Sequence, residues 1–302
     1  MHLKSSLLLL LTAAIWGFAF VAQRVGAEYM PPFAFNGFRF ALGALSLLPV
    51  MFFLKNSSLA AKKSLAQSRK NLYIGLLAGG ILFIAASLQQ IGLIYTTAGK
   101  AAFVTCMYIV LVPITGVFLK QQIGLNTWLG SILAITGLYF LCIKESLTIS
   151  WGDVLELIGS FFWTAHILLI DRYSRELDTL KLAFYQFITC SALSLITAWA
   201  LETVALANIL QAMIPLLYGG ICSVGIAYTL QIVGQKNAPP ASAAIILSME
   251  TVFAAIGGYL LIDERLGPWE LGGCALMLSG MLLSQIQAVT PEKPELEAEV
   301  EL

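Results

Sequence analysis

A small set of polar and aromatic side chains sits inside stretches that are otherwise apolar: Trp16, Arg39, Gln90, Trp163, His166, Tyr228, Gln231 and Glu250. Hydrocarbon offers such groups no hydrogen-bonding partner, so each must face protein, another polar group or water. Trp16 and Trp163 fall near the middle of their apolar windows, whereas tryptophan prefers the interfacial belt at the ends of a span. Lining a central cavity explains that depth; plain helix–helix packing is the competing reading. Tyr228, Gln231 and Gln235 are spaced i, i+3 and i+7, which sets them in one stripe on a helix face. Uncharged hydrogen-bonding groups in a stripe suit a wet path for a polar or zwitterionic solute, and they equally suit bonds between helices.

Glu250 lies halfway along its apolar stretch. A carboxylate there is costly unless protonated, paired or wetted. It reads as a proton-coupling acid, as a ligand for a substrate amino group, or as a neutral acid bonded to a neighbouring helix. His166 follows Trp163 by one turn, and a free imidazole pKa of about 6.5 allows proton exchange; a packed hydrogen-bonding role is the alternative. Arg39 could meet a substrate carboxylate, pair with an acid or snorkel outward.

These residues need elements to hold them, and composition says which. Of 302 residues, 59% are hydrophobic and 11% charged, against about 25% charged in ordinary soluble domains; mean hydropathy is +0.85. In water such a chain would expose large apolar patches, so a lipid bilayer is the expected solvent. A helix of about 20 apolar residues spans the hydrocarbon core. Qualifying windows are 5–26, 33–54, 72–95, 99–119, 126–143, 152–172, 181–201, 210–234, 238–262 and 268–286. The first follows Lys4 and is too long for a typical signal-peptide core, so it is expected to stay as a span.

Lys and Arg placement supports ten spans with both ends inside, because basic loops resist translocation. With that orientation, inside segments hold twelve: Lys4, Lys55, Lys62, Lys63, Arg69, Lys70, Lys120, Arg172, Arg175, Lys181, Lys236 and Lys293. Outside segments hold Arg24, Lys100, Lys144 and Arg265, while Arg39 is within a span. Residues 287–302 form an acidic tail with two prolines and no apolar pattern, expected to be disordered. The net charge of zero gives no general argument for nucleic acid. Five cysteines, all in apolar stretches and none in a CxxC pair, read as soft core residues, with no metal site or cofactor expected.

The chain also repeats. At an offset of 147, Trp16 falls on Trp163 and Phe40 on Phe187; at 141, Gly79 on Gly220, Ala86 on Ala227, Gln90 on Gln231 and Ala102 on Ala243. At 143, Gly124 falls on Gly267, Gly130 on Gly273 and Gly137 on Gly280. The expected architecture is therefore an all-α polytopic membrane protein, with a first five-helix repeat over 1–145 and a second over 146–286. Five being odd, the second copy enters the membrane upside down. Inverted repeats enclosing a midplane site are characteristic of secondary transporters, so a small-molecule substrate is the expected partner besides lipid. Glycines at close helix spacing, such as Gly75 with Gly79 and Gly130 with Gly137, let helices approach. The fifth and tenth spans, nearly free of interior polar groups, read as outer supports and as a candidate homodimer face.

Ala14-Ile15-Trp16-Gly17, Phe38-Arg39-Phe40, the run from Tyr95 to Phe103, Met249-Glu250-Thr251-Val252-Phe253, Asp263-Glu264-Arg265-Leu266 and Leu271-Gly272-Gly273 together resemble the EamA family of the drug/metabolite transporter superfamily over nearly the whole chain. The resemblance implies ten spans, cytoplasmic ends in a bacterial inner (plasma) membrane, and export of amino acids or related metabolites. Thr251 stands where that family often has proline, which leaves a kink in the ninth helix open.

Other classes fit less well. GxxxxGK[ST], HExxH and GxSxG patterns and paired intramembrane aspartates do not occur, so neither ATP drive nor an intramembrane enzyme is supported. A nucleotide-sugar or phosphate-ester carrier would want several deep cations, and Arg39 stands alone. A passive channel would conduct without saturating.

Overall fold

A computed structural model describes residues 3–57, 65–95, 98–142, 150–261 and 267–286. The Lys62-Lys63 stretch, Thr96-Thr97, Lys144, the Asp263–Leu266 motif and the 287–302 tail lie outside the described residues. Without water, a backbone can satisfy its own N–H and C=O groups within one segment only as a helix, and every regular element among the described residues is helical. In order these are α1 (Leu3–Tyr29), α2 (Pro32–Ser57), α3 (Leu65–Tyr95), α4 (Ala98–Thr105), α5 (Tyr108–Phe118), α6 (Leu125–Cys142), α7 (Trp151–Ser174) and α8 (Thr179–Leu201). Then come α9 (Leu206–Gln211), α10 (Met213–Leu217), a π-helical segment (Tyr218–Tyr228), α11 (Thr229–Gln235), α12 (Pro240–Leu247), α13 (Glu250–Leu261) and α14 (Pro268–Gln285).

Among the described residues, seven helical segments are long and apolar enough to cross a membrane; Tyr108–Phe118, Leu125–Phe140 and Leu271–Ser284 are shorter apolar helices. Each expected window overlaps one of these, the fourth, fifth and tenth being the short ones. Phe52, Phe53, Trp199, Leu201 and Ile214 are among many large apolar side chains left exposed, an exterior suited to lipid.

Spans expected to be continuous are interrupted beside the bundle centre. Between α4 and α5 the chain tightens into a narrow three-residue turn, with Met107 N–H donating to Val104 O (3.1 Å) and Ile109 N–H to Cys106 O (2.9 Å). Between α12 and α13 the same i to i−3 pattern recurs, Met249 N–H to Ile246 O and Thr251 N–H to Ser248 O, both 3.1 Å. Met107 (φ −56°, ψ −16°) and Ser248 (φ −62°, ψ −14°) share one backbone conformation, and they are 141 residues apart, the offset that aligns Gln90 with Gln231. The ninth helix thus breaks without proline. Ser248 Oγ donates to Ile245 O (2.7 Å) and Thr251 Oγ1 to Ser248 O (2.9 Å); side chains that bond the preceding turn bend helices in this way.

Helices α6 and α14 lie together along a seam of glycines. A Cβ on Gly130 would come 2.7 Å from Gly280 O, one on Gly280 2.6 Å from Gly130 O, and one on Gly137 2.5 Å from Gly273 O. Backbone approach at that range admits no side chain, so these glycines face each other within the chain. Phe40 and Phe187, aligned by the repeat, also meet, with ring centroids 6.4 Å apart.

Polar contacts tie both ends of the bundle. At the end holding the α1–α2 connection, Glu202 after α8 accepts from Phe33 N–H (2.9 Å) and Ala34 N–H (2.8 Å), and Asn208 Nδ2 donates to Tyr29 O (2.7 Å). Pro32 opens α2, so the carboxylate meets the free N–H groups and positive dipole end of that helix. Glu202→Ala should lower stability by about 1–2 kcal/mol, the worth of charge-assisted bonds at a helix start, read as a lower melting temperature in detergent. At the opposite end, Lys70 on α3 pairs with Glu176 after α7 and holds its carboxyl below the usual range. Asn71 Oδ1 there accepts from Asp178 N–H (3.1 Å).

Candidate functional site

The elements converge on a cavity of about 510 Å3 including its open mouth. Helix α1 contributes Trp16, Phe20 and Gln23; α2 contributes Arg39; α3, Gln89; and the α4–α5 break, Thr105 and Tyr108. Trp163 enters from α7, Ser223 and Tyr228 from the π segment, Gln231 from α11, Leu247 from α12 and Glu250 from α13.

Local structure explains how these side chains reach one place. Gly17 lets α1 lie against α13: a Cβ there would meet Glu250 O at 2.6 Å and Ala254 N at 2.7 Å. That approach brings Trp16 and Glu250 to one wall. The π segment has a wider turn, bonded i to i+5, of a kind common at functional sites. Its carbonyls take donors from α1: Trp16 Nε1 to Ser223 O (3.2 Å) and Thr12 Oγ1 to Ala227 O (3.3 Å). Tyr228 lies between the two tryptophans, its ring centroid 4.6 Å from Trp16 and 6.4 Å from Trp163, nearly parallel to the latter at 19°. Aromatic pairs at these separations are mutually attractive.

One basic and one acidic side chain line this aromatic chamber. Arg39 is 3% exposed. Its guanidinium lies 5.0 Å from the Phe40 ring centroid and 5.9 Å from that of Phe35, and such rings partly compensate a desolvated cation. Its Nε has no hydrogen-bond partner, and among the described residues no carboxylate forms an ion pair with it. Glu250 is 6% exposed; its Oε1 accepts from Tyr108 OH at 2.9 Å, with Cys106 Sγ at 3.6 Å. The Trp163 Nε1–H and the side-chain amide oxygens (Oε1) of Gln23 and Gln231 are buried without partners. Buried polar groups are ordinarily satisfied, so this wall offers donors and acceptors to a guest.

Of the residues singled out in the sequence, Trp16, Trp163, Tyr228, Gln231, Arg39 and Glu250 come together on the cavity wall. His166 and Gln90 stand behind it. His166 Nε2 bonds Gln186 Oε1 (3.1 Å), and its ring meets Trp163 and Tyr228 edge-on, at 84° and 86°, so it sets the pose of the aromatic wall. Gln90 Nε2 donates to Gln23 O (3.3 Å), an interhelical bond, while its neighbour Gln89 lines the cavity. Gln235, third in the polar stripe, donates to Ile167 O (3.1 Å). Sequence reasoning missed Gln23, Gln89, Thr105, Tyr108 and Ser223. The interruption at 106–107, which aims Thr105 and Tyr108 inward, has no proline or glycine to announce it.

The sequence profile of a family described as EamA-like transporters matches residues 3–143 and again 150–285. An uncharacterized transporter of Archaeoglobus fulgidus is 32% identical over 299 residues, 95% of this chain and 87% of that protein. The uncharacterized transporter YoaV of Bacillus subtilis is 24% identical over 278 residues, 89% of this chain and 92% of its own. A solved protein crystal structure, 15% identical, superposes with a TM-score of 0.78 over 94% of this chain and 97% of the other; at that identity the likeness concerns fold alone.

Proposed function

The chain belongs to the EamA-like transporter family, and from that premise we propose that this membrane transporter exports amino acids or closely related small zwitterions across the bacterial inner membrane. The observation that carries the reading is one aromatic-walled cavity lined by both Arg39 and Glu250. A zwitterion carries the complement of that pair. Arg39 holds the carboxylate, Glu250 the ammonium, and Trp16, Tyr228 and Trp163 enclose the side chain. Each charge buried alone costs free energy, so a guest that supplies both counter-charges gives Arg39 and Glu250 the partners they do not find in each other.

Movement follows from two five-helix halves, residues 1–145 and 146–286, inverted with respect to each other and rocking about this site. Support comes from the family profile matching twice and from helix breaks 141 residues apart with one backbone conformation. In this reading both chain ends are cytoplasmic. The contacts of Lys70 with Glu176 and of Glu202 with the start of α2 then form and part in turn. A nucleotide-sugar or phosphate-ester carrier is less favoured, since among the described residues Arg39 is the one cation on the wall and phosphates call for several.

The test is flux in purified proteoliposomes against a panel of labelled amino acids and their deaminated and decarboxylated analogues, with and without an imposed pH gradient. Expected is saturable flux of zwitterions, with analogues lacking either charge about 100-fold poorer, as when buried polar groups are left unpaired. Equal flux of all three classes, or conduction without saturation, would end the reading. Trp16→Ala and Trp163→Ala should each cut flux about tenfold, a loss of the order carried by one aromatic contact, with normal membrane insertion; full activity in both would remove them from the site.

A further inference from the structure

We propose that Glu156 is a second proton-exchanging acid, reached from the central cavity through the Thr105 hydroxyl, so that two carboxylates and not one take up and release protons beside the site. Glu156 lies on α7, about 8 Å from its start at 1.5 Å per residue, and is 0% exposed. Its Oε2 accepts from Thr105 Oγ1 at 2.7 Å, while its Oε1 is buried with no partner. Thr105 itself lines the cavity. A hydroxyl both donates and accepts, so this one can pass a proton between cavity water and the acid behind it.

The neighbourhood is built around the carboxyl. Gly92 of α3 makes its room, since a Cβ there would come 2.6 Å from Glu156 Oε1. The nearby Asp153 is occupied otherwise: its Oδ2 accepts from Ser150 N–H (2.7 Å) and its own N–H donates to Ser150 Oγ (3.1 Å), closing the cap of α7. Thr105 ends α4 and Tyr108 begins α5, so residues on the two sides of one helix break serve Glu156 and Glu250 respectively. An ionised carboxylate at this burial, with one oxygen unbonded, is strongly disfavoured; a neutral one that ionises when water reaches Thr105 is not.

On α7 His166, Asp171, Arg172 and Tyr173 lie ten or more residues beyond Glu156, and on α3 Arg69, Lys70 and Tyr73 lie 19 or more residues before Gly92, which leaves few charged and titratable groups at its own level. They are Asp153 on α7 itself, Lys100 on α4, Tyr108 on α5 with Cys106 at the break, and Tyr95 at the near end of α3; α11 and α12 carry none. Among the described residues, no ion pair involves Glu156. Its use in coupling rests on the transport reading above, whereas its titration does not.

The experiment is infrared difference spectroscopy of the purified full-length protein in lipid nanodiscs, following the protonated-carboxyl bands across a pH series and after transfer to D2O. Expected are two titrating components, one deleted by Glu156→Gln and the other by Glu250→Gln. Glu156→Asp serves if the amide variant fails to fold, and should shift its component without deleting it. Thr105→Val should slow deuterium exchange of the Glu156 component about tenfold, one buried hydrogen bond's worth, and leave the Glu250 component alone. Spectra of Glu156→Gln matching the parent at every pH would make Glu156 a fixed acid and overturn the proposal, as would unchanged exchange in Thr105→Val. If the component titrates while no amino acid is carried, the export reading fails and this one stands.

Discussion

Glu250→Gln should abolish any dependence of transport on an imposed pH gradient and reduce exchange of zwitterions about 100-fold. The amide keeps the shape and can still accept from Tyr108, so folding is preserved. What it loses is the negative charge. A carboxylate that holds a substrate ammonium cannot also hold a proton, because opposite charge nearby favours its ionised form; on the proposed reading, ammonium and proton would therefore displace each other there. In the folded chain the Tyr108 hydroxyl donates to this carboxylate, and Tyr108→Phe should give a milder version of the same defect. Uptake of label into vesicles at equal and at stepped pH separates the two effects. Gradient dependence that survives in Glu250→Gln would take proton coupling away from this residue.

Arg39→Met should carry the largest split between stability and activity. Arg39 is a buried cation with no ion-pair partner among the described residues, and a well-packed apolar residue at the place of a buried charge is commonly neutral or stabilising by about 1–4 kcal/mol. The variant should thus insert normally and melt no lower than the parent. Transport of carboxylate-bearing solutes should nevertheless fall about 100-fold or more, since truncating one member of a buried charge pair costs about 2–5 kcal/mol. A gain of stability at the cost of transport is the trade-off expected of a functional residue. A variant that melts well below the parent would show Arg39 to be a structural element, its cation held by Phe35 and Phe40 for packing alone.

The helical spans were legible because hydrocarbon leaves the backbone no other option, and composition alone reports that constraint. Trp16 and Trp163 were legible through depth, since tryptophan at mid-span contradicts its interfacial preference. Rotation about a helix axis was harder. Gln89 and Gln90 are adjacent and therefore point about 100° apart; matching with Gln231 favoured Gln90, yet Gln89 faces the cavity. His166 shares a helix face with Trp163 but its ring turns to Gln186, a partner on another helix that no local pattern reveals. Glu156, a turn and a half into its helix, has the sequence appearance of a solvated span end. Thr251 left the ninth helix undecided, and the break came from hydroxyls bonding the preceding turn.

The π segment from Tyr218 to Tyr228 has a mechanical consequence of its own. Each such turn stores an extra residue relative to the α form, and letting one go would turn the adjoining end of that helix, Tyr228 with it, by roughly 100°. Tyr228 would then swing out from between the indoles of Trp16 and Trp163, parting the aromatic wall by a local change of winding while the surrounding helices stay where they are.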